Sequence, residues 1–86
     1  MENKEYVVYV LFSIKYDKIY IGYTSNLEQR LLSHNELSTK GWTVRFRPWK
    51  LIYTEIFKDK VSAMKREKEL KSFRGREWIS SQFLNY

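Results

Sequence analysis

With 86 residues, 43% of them hydrophobic and 17% aromatic, the chain predicts one folded domain, residues 1–86, that is too small to enclose a large internal pocket. The absence of cysteine excludes disulfides, a thiolate nucleophile and cysteine-based zinc sites, and it fits a reducing compartment such as the cytoplasm. A net charge of +6 favours a polyanionic partner, nucleic acid above all, and the longest apolar run, residues 6–12, is too short to span a membrane.

Two strands joined by a hairpin are predicted near the N-terminus. Residues 6–12 are β-branched or aromatic and apolar at both parities, which is typical of a central strand covered on both faces. Residues 15–18 form a polar break of hairpin length, and residues 19–23 resume as a second strand, antiparallel to the first. Tyr9 and Tyr20 are therefore expected to lie near each other across the pair.

A helix is predicted from about residue 27 to residue 36. On a helical wheel Leu27 and Leu31 form the inward stripe, Arg30 flanks it, and His34 nearly continues it. An Arg and a His at this spacing are most often ordinary surface residues. Their position beside the inward stripe nevertheless leads us to expect both at the border of a cleft.

Residues 37–50 lose this period and form a basic loop in which cations alternate with aromatic residues. Such a composition suits phosphate contacts combined with stacking on bases or sugars. Lys40, Trp42, Arg45 and Arg47 are the candidate nucleic-acid contacts in this loop. The alternative is that its aromatic rings fold back onto the core, and Trp49 is the strongest candidate for such a core position.

The most informative anomaly lies in the second long helix, predicted from residue 61 to about residue 72 after a third strand over residues 51–57. Ala63, Met64 and Leu70 define an apolar arc, and Glu67 falls inside it. A carboxylate facing the core costs several kcal/mol unless it is paired or bound to a metal. Two interpretations stay open at this point: a metal site, or an ion pair with Lys71 or Arg30.

The remaining boundaries follow from local signals. Asp59 is the predicted N-cap of the second long helix. Residues 74–76 are predicted to interrupt the chain, and residues 77–84 to form a short closing helix whose aromatic side chains cover the sheet.

Taken in order, these parts resemble the GIY-YIG nuclease family, in particular its small single-domain members. Val7-Val8-Tyr9 stands where the family has Gly-Ile-Tyr, and Tyr20-Ile21-Gly22 matches the second half of the name. Further blocks match at Arg30, at His34-Asn35, at Arg47-Pro48-Trp49 and at Ala63-Met64-Lys65-Arg66-Glu67. Each block alone is weak, but five in order over nearly the whole chain are specific. The resemblance implies an α/β fold in which a small three-stranded antiparallel sheet is flanked by about three helices.

The resemblance also implies a DNA endonuclease that hydrolyses phosphodiester bonds with one divalent ion, Mg²⁺ or Mn²⁺. By the family's pattern, Glu67 holds the metal, and Tyr9 orients or deprotonates the attacking water. Tyr20 assists through a hydrogen bond, Arg30 stabilises charge on the phosphate, and His34 joins the proton transfers around Tyr9. A phenol beside an arginine and a metal can lose its proton below its usual pKa of about 10. One carboxylate with waters suits a hard cation better than zinc.

The predicted substrate is DNA, recognised by its structure or its damage, and Lys71 is a further candidate contact to it. Targeting is left to the basic surface, the shape of the DNA or a protein partner. Many family nucleases carry an Asn downstream of the Glu, and Ile79 to Gln82 hold none. A non-catalytic nucleic-acid-binding module of the same fold is therefore the alternative, followed by a basic scaffold that docks onto a protein.

Overall fold

The protein folds around a three-stranded antiparallel sheet, seen in a computed structural model that describes residues 5–37 and 42–84. The elements are β1 (Tyr6–Ser13), β2 (Lys18–Thr24), α1 (Leu27–Leu32), β3 (Lys50–Phe57), α2 (Lys60–Lys71) and α3 (Phe73–Ile79). A π-helical turn (Ser33–Leu37) extends α1, a 3₁₀ turn (Trp42–Phe46) precedes β3, and a second π-helical turn (Ser80–Leu84) follows α3. The strand order is β2-β1-β3, with both pairs antiparallel, which confirms the predicted fold and its central strand.

Each face of the sheet carries its own hydrophobic core because successive β1 side chains point to opposite sides. On one face Val8 and Val10 pack with residues of α2 and α3, namely Ala63, Leu70 and Ile79. On the other face Tyr9 and Leu11 pack with Trp49, against which Tyr20, Leu27, Leu31 and Phe46 are partly buried. Trp49 is only 5% exposed, so its predicted core position is confirmed. Lys40 and the side chain of Trp42 lie outside the described residues.

The helix boundaries follow from side-chain caps. Asn26 accepts a hydrogen bond from the Gln29 amide at 3.1 Å and starts α1. Asp59 Oδ1 accepts one from the Ser62 amide at 2.7 Å and starts α2, as predicted.

The predicted break at residues 74–76 is wrong, because α3 already begins at Phe73 and runs through them. The chain breaks at Ser72 instead. The Ser72 hydroxyl donates to the Glu69 carbonyl at 2.5 Å, where α2 ends, and accepts from the Gly75 amide at 3.2 Å, where α3 begins. One side chain thus ends a helix and caps the next. A Cβ on Gly75 would lie 2.2–2.5 Å from backbone atoms of Glu69 and Leu70, so only glycine allows this close joint.

The apolar arc of α2 is narrower than predicted. Ala63 and Leu70 are buried, but Met64 is 42% exposed. One residue past Ala63, the helix has turned by about 100°, which carries the Met64 side chain off the buried face. In the described part of the chain, no helix is both long enough and apolar enough to cross a membrane.

Candidate active site

A cleft of about 430 Å³ opens where β1, β2, α1 and α2 meet. Four of the five predicted catalytic residues line it: Tyr9, Tyr20, Arg30 and Glu67. The other residues of its wall are Tyr6, Gly22, Tyr23, Ser25 and Lys60. The wall therefore combines phenols, two cationic side chains and one carboxylate, which is a polar lining suited to a phosphate group.

His34, the fifth predicted residue, lies behind Tyr9. Both residues are buried, and Tyr9 Oη is 3.0 Å from His34 Nε2. The Tyr20 ring is tilted against both of these rings, and its centroid lies 4.6 Å from that of His34 and 6.2 Å from that of Tyr9. Because Tyr9 is fully buried, it meets the cleft at its floor, and Tyr20 and Arg30 stand closer to the opening.

Burial sets the protonation states of this pair. It raises the pKa of Tyr9 to about 12, with the nearby Tyr20 adding to the shift and Arg30 opposing it. Burial also lowers the pKa of His34 from 6.5, with the charges of Arg30 and Arg47 acting in the same direction. Both shifts oppose a proton transfer from Tyr9 to His34. Arg30 does not bring the pKa of Tyr9 below its usual value, and at neutral pH both residues are uncharged.

Gly22 makes room for the Tyr9 hydroxyl. The two residues are directly paired in the β1–β2 register. A Cβ on Gly22 would lie 2.7 Å from Tyr9 Oη, 2.9 Å from Tyr9 Cζ and 3.1 Å from Tyr20 Cε1. Real Cβ atoms essentially never approach other atoms this closely, so the glycine of Tyr20-Ile21-Gly22 is required by space. The sequence alone gives no sign of this contact.

The position of Glu67 agrees in part with both interpretations of the sequence, the metal site and the ion pair. Its side chain is only 19% exposed, it lines the cleft, and its Oε2 lies 3.5 Å from the Lys71 ammonium group one turn along α2. A half-exposed lysine at this distance contributes only about 0.3–0.5 kcal/mol. That amount is too small to explain the burial of a carboxylate, and the place of Glu67 in the cleft leaves it available to a cation.

The donor set decides which cation fits. The described residues contain no group of three or more His, Asp or Glu side chains that could hold a metal ion, so Glu67 stands as the carboxylate of the cleft, in a wall that also carries phenol oxygens. Zinc requires about four protein or water ligands that include His or Cys in most sites. Mg²⁺ is held by one or two carboxylates and keeps several waters, and Mn²⁺ accepts the same oxygen ligands. The lining therefore fits Mg²⁺ or Mn²⁺.

Hydrogen bonds between the basic loop and the end of α1 hold His34 in place. The Arg47 guanidinium donates to the carbonyls of His34 at 2.6 Å and Ser33 at 3.1 Å. The Asn35 side chain accepts from the Trp49 amide at 2.7 Å and donates to the Trp49 carbonyl at 3.1 Å. Arg47, predicted to contact nucleic acid, is thus engaged with the backbone. The role of Asn35 was missed because no periodicity in the sequence reports such contacts.

The two other predicted nucleic-acid contacts with described side chains lie apart from each other. Arg45 is exposed on the 3₁₀ turn, with its guanidinium carbon 5.7 Å from the centroid of the Phe46 ring. Lys71 is at the last residue of α2, paired with Glu67. Arg45 is consequently the freer of the two to meet a phosphate.

Fold and site together define a small α/β domain whose cleft is suited to a phosphate group, and a comparison with known families identifies its family. A family profile described as the GIY-YIG catalytic domain matches residues 5–77. The chain belongs to the GIY-YIG family, which confirms the resemblance seen in the sequence. The prediction that residues 1–86 form a single domain stays a prediction.

Within this family the chain is similar to UPF0213 proteins. It is 39% identical over 69 residues to one from Staphylococcus haemolyticus, an alignment that covers 80% of this chain and 83% of the relative. It is 40% identical over 68 residues to one from Natronomonas pharaonis, with 79% of each chain covered. The solution NMR structure of a UPF0213 protein from Bacillus halodurans matches with a TM-score of 0.54 and 31% identity, covering 90% of this chain and 83% of that one.

Proposed function

We propose that the protein is a divalent-metal-dependent DNA endonuclease that hydrolyses phosphodiester bonds in branched, flapped or damaged DNA. One observation carries this proposal: four separate elements bring Tyr9, Tyr20, Arg30 and Glu67 to the same cleft. A module that only binds nucleic acid gains nothing from a carboxylate there, because a negative charge repels the phosphate backbone. A cation held by that carboxylate reverses the effect.

The roles proposed for the cleft follow from its charges and geometry. Arg30 binds the scissile phosphate and stabilises the negative charge that develops on it. Lys60, on the same wall, adds a second cation for a neighbouring phosphate. A metal ion on Glu67 supplies a Lewis acid and lowers the pKa of a bound water.

The tyrosines and His34 act on the attacking water in this proposal. Tyr9 serves as a hydrogen-bonding group that orients the water, and His34 fixes the direction of its hydroxyl through the 3.0 Å contact. Tyr20 lies beside the rings of Tyr9 and His34 and assists from the open side of the cleft.

The experiment is a nicking assay on supercoiled plasmid and on flapped DNA with Mg²⁺, Mn²⁺ or a chelator. We expect cleavage with either metal and none with the chelator, and we expect Glu67→Gln to abolish it. Glu69→Gln is the matched control, because Glu69 lies on the same helix with a half-exposed side chain 3.4 Å from Arg66. Cleavage by the Glu67→Gln variant at the wild-type rate would refute the proposal.

A non-catalytic nucleic-acid-binding module is the second candidate. The full burial of Tyr9 and the absence of an asparagine between Ile79 and Gln82 favour it. Its signature is DNA binding that weakens steeply with salt but leaves the DNA uncut under every metal condition. A chain that neither binds nor cuts DNA would instead support a scaffold that docks onto a protein.

A further inference from the structure

The tip of the β1–β2 hairpin, residues 14–17, exposes apolar side chains that the cleft does not use. Ile14 is 69% exposed and Tyr16 41% exposed. Asp17, next to Tyr16, has a φ of 54°, a left-handed conformation that reverses the chain and leaves Tyr16 standing out at the turn. The Tyr16 ring therefore lies outside both cores, where another molecule can reach it.

Cations surround this ring and the one beside it. Tyr16 meets Phe46 edge-on, with centroids 5.4 Å apart and an interplanar angle of 75°. The Lys15 ammonium group is 5.4 Å from the Tyr16 centroid. The Lys18 ammonium group and the Arg45 guanidinium are each 5.7 Å from the Phe46 centroid.

The charge of this surface is complementary to nucleic acid. It presents three cationic groups and one carboxylate, that of Asp17. Proteins that bind single-stranded nucleic acid combine a positive surface along the backbone with aromatic rings on which bases stack. We commit to nucleic acid as the occupant, because it offers both partners of this surface: phosphates for the cations and flat bases for the ring.

The hairpin tip and the cleft are joined by a continuous line of aromatic rings. Phe46 packs against the core that contains Trp49, and the Trp49 centroid is 6.3 Å from that of Tyr20, in the cleft wall. Along the chain, Tyr16 and Tyr20 are four residues apart, which is at most about 14 Å. This bound places Tyr16 within a few nucleotides of the cleft along one DNA strand.

We propose that Tyr16, supported by Phe46 and flanked by Lys15, Lys18 and Arg45, is a stacking platform for an unpaired base of the DNA strand that enters the cleft. The inference deepens the proposed function, on which it rests for the identity of the nucleic acid. A base in an intact duplex has both faces stacked and offers none to Tyr16. The platform therefore selects flaps, gaps and frayed ends over intact duplex.

The test is a binding experiment with a chelator present, so that nothing is cut. Dissociation constants are measured by fluorescence anisotropy for a flapped DNA and an intact duplex of equal length. We expect Tyr16→Ala to weaken flap binding about tenfold, the scale of one lost stacked base, and duplex binding less than twofold. Tyr16→Phe keeps the ring and should bind like wild type. Tyr16→Leu keeps the bulk against Phe46 without an aromatic face and should bind like Tyr16→Ala.

Phe73→Ala is the matched control, since Phe73 is an aromatic residue 77% exposed at the start of α3. Its removal should change neither dissociation constant. Lys15→Ala should weaken binding of both DNAs and reduce the salt slope by about one. A 2-aminopurine base in the flap should be quenched by wild type and recover its fluorescence with Tyr16→Leu.

The platform is overturned if Tyr16→Ala behaves like Phe73→Ala, or if flap and duplex lose affinity equally. These outcomes are separate from those of the nicking assay. If the wild-type protein cuts no DNA but Tyr16→Ala weakens flap binding, the stacking platform is supported and the proposed hydrolysis is refuted. If the protein cuts DNA with metal but binds flap and duplex equally well, the proposed hydrolysis is supported and the stacking platform is refuted.

Discussion

Adding one methyl group at Gly22 tests the packing on which the cleft depends. In Gly22→Ala the new Cβ would lie 2.7 Å from Tyr9 Oη, so the phenol must retreat by about 0.7 Å to restore an ordinary contact of 3.4 Å. Tyr9 is fully buried, so its retreat must displace side chains packed around it. A retreat of that size also alters the geometry of the 3.0 Å contact with His34.

Two effects of opposite sign act on the stability of this variant. Replacing Gly by Ala within a strand stabilises by about 0.5–1 kcal/mol, because the unfolded chain loses freedom. Overpacking a buried site costs about 1–3 kcal/mol. We expect the clash to win, with a free energy of unfolding lower by about 1–2 kcal/mol and a Tm lower by roughly 5–15 °C.

Urea unfolding followed by tryptophan fluorescence measures this loss, and a double-mutant cycle identifies its cause. Tyr9→Phe removes the oxygen that makes the closest contact, so Gly22→Ala should cost about 0.5–1.5 kcal/mol less in the Tyr9→Phe background. A Gly22→Ala variant that is as stable as wild type, or whose cost is the same in both backgrounds, would refute the packing argument.

Three more predictions concern His34 and the two arginines Arg45 and Arg47. The pKa of His34 is lowered in the fold, so as the pH falls the unfolded chain binds a proton before the folded chain does. The contribution of His34 to stability is therefore present above about pH 6.5 and is lost as the pH falls toward the lowered pKa of the folded state. His34→Gln should flatten that dependence in urea titrations between pH 7 and 5, and an unchanged profile would contradict the assignment. Arg47→Ala should cost about 1.5–3 kcal/mol of stability, because it removes charged hydrogen bonds to two carbonyls. Arg45→Ala, on the exposed 3₁₀ turn, should leave stability within about 0.5 kcal/mol and reduce the salt slope of DNA binding by about one; the opposite ranking of the two variants would exclude these roles.

The fold was predictable where a local signal acts alone. The apolar run of β1, the polar break after it and the cap at Asp59 each report a preference of a few neighbouring residues. The joint at Ser72 was not, because Arg74-Gly75-Arg76 looks like a chain break. Gly75 instead serves the close approach of two helices, which is a tertiary requirement. Met64 was misplaced for a similar reason, since a helical wheel does not show how wide the buried face of a helix is.

The features of the candidate site were also predictable only in part. The resemblance supplied the residue types of the cleft, and the order of elements made their meeting predictable. The upward shift in the pKa of Tyr9 was not predictable, because the sequence displays the charge of Arg30 but not the burial that outweighs it. The contacts of Arg47 and Asn35 with the backbone were equally hidden, since they join a loop without period to the end of a helix.

Single-turnover cleavage and affinity, measured together on one flapped DNA, test the central claim most directly. With Mg²⁺ present, Glu67→Gln should slow cleavage on the order of 10³-fold, the several kcal/mol that a metal ion contributes, while its dissociation constant changes less than twofold. Glu69→Gln should match wild type in both quantities. A wild-type protein that binds the flap but shows no metal-dependent cleavage, or a Glu67→Gln variant that cleaves as fast as wild type, would contradict the assignment of this cleft as a hydrolytic site.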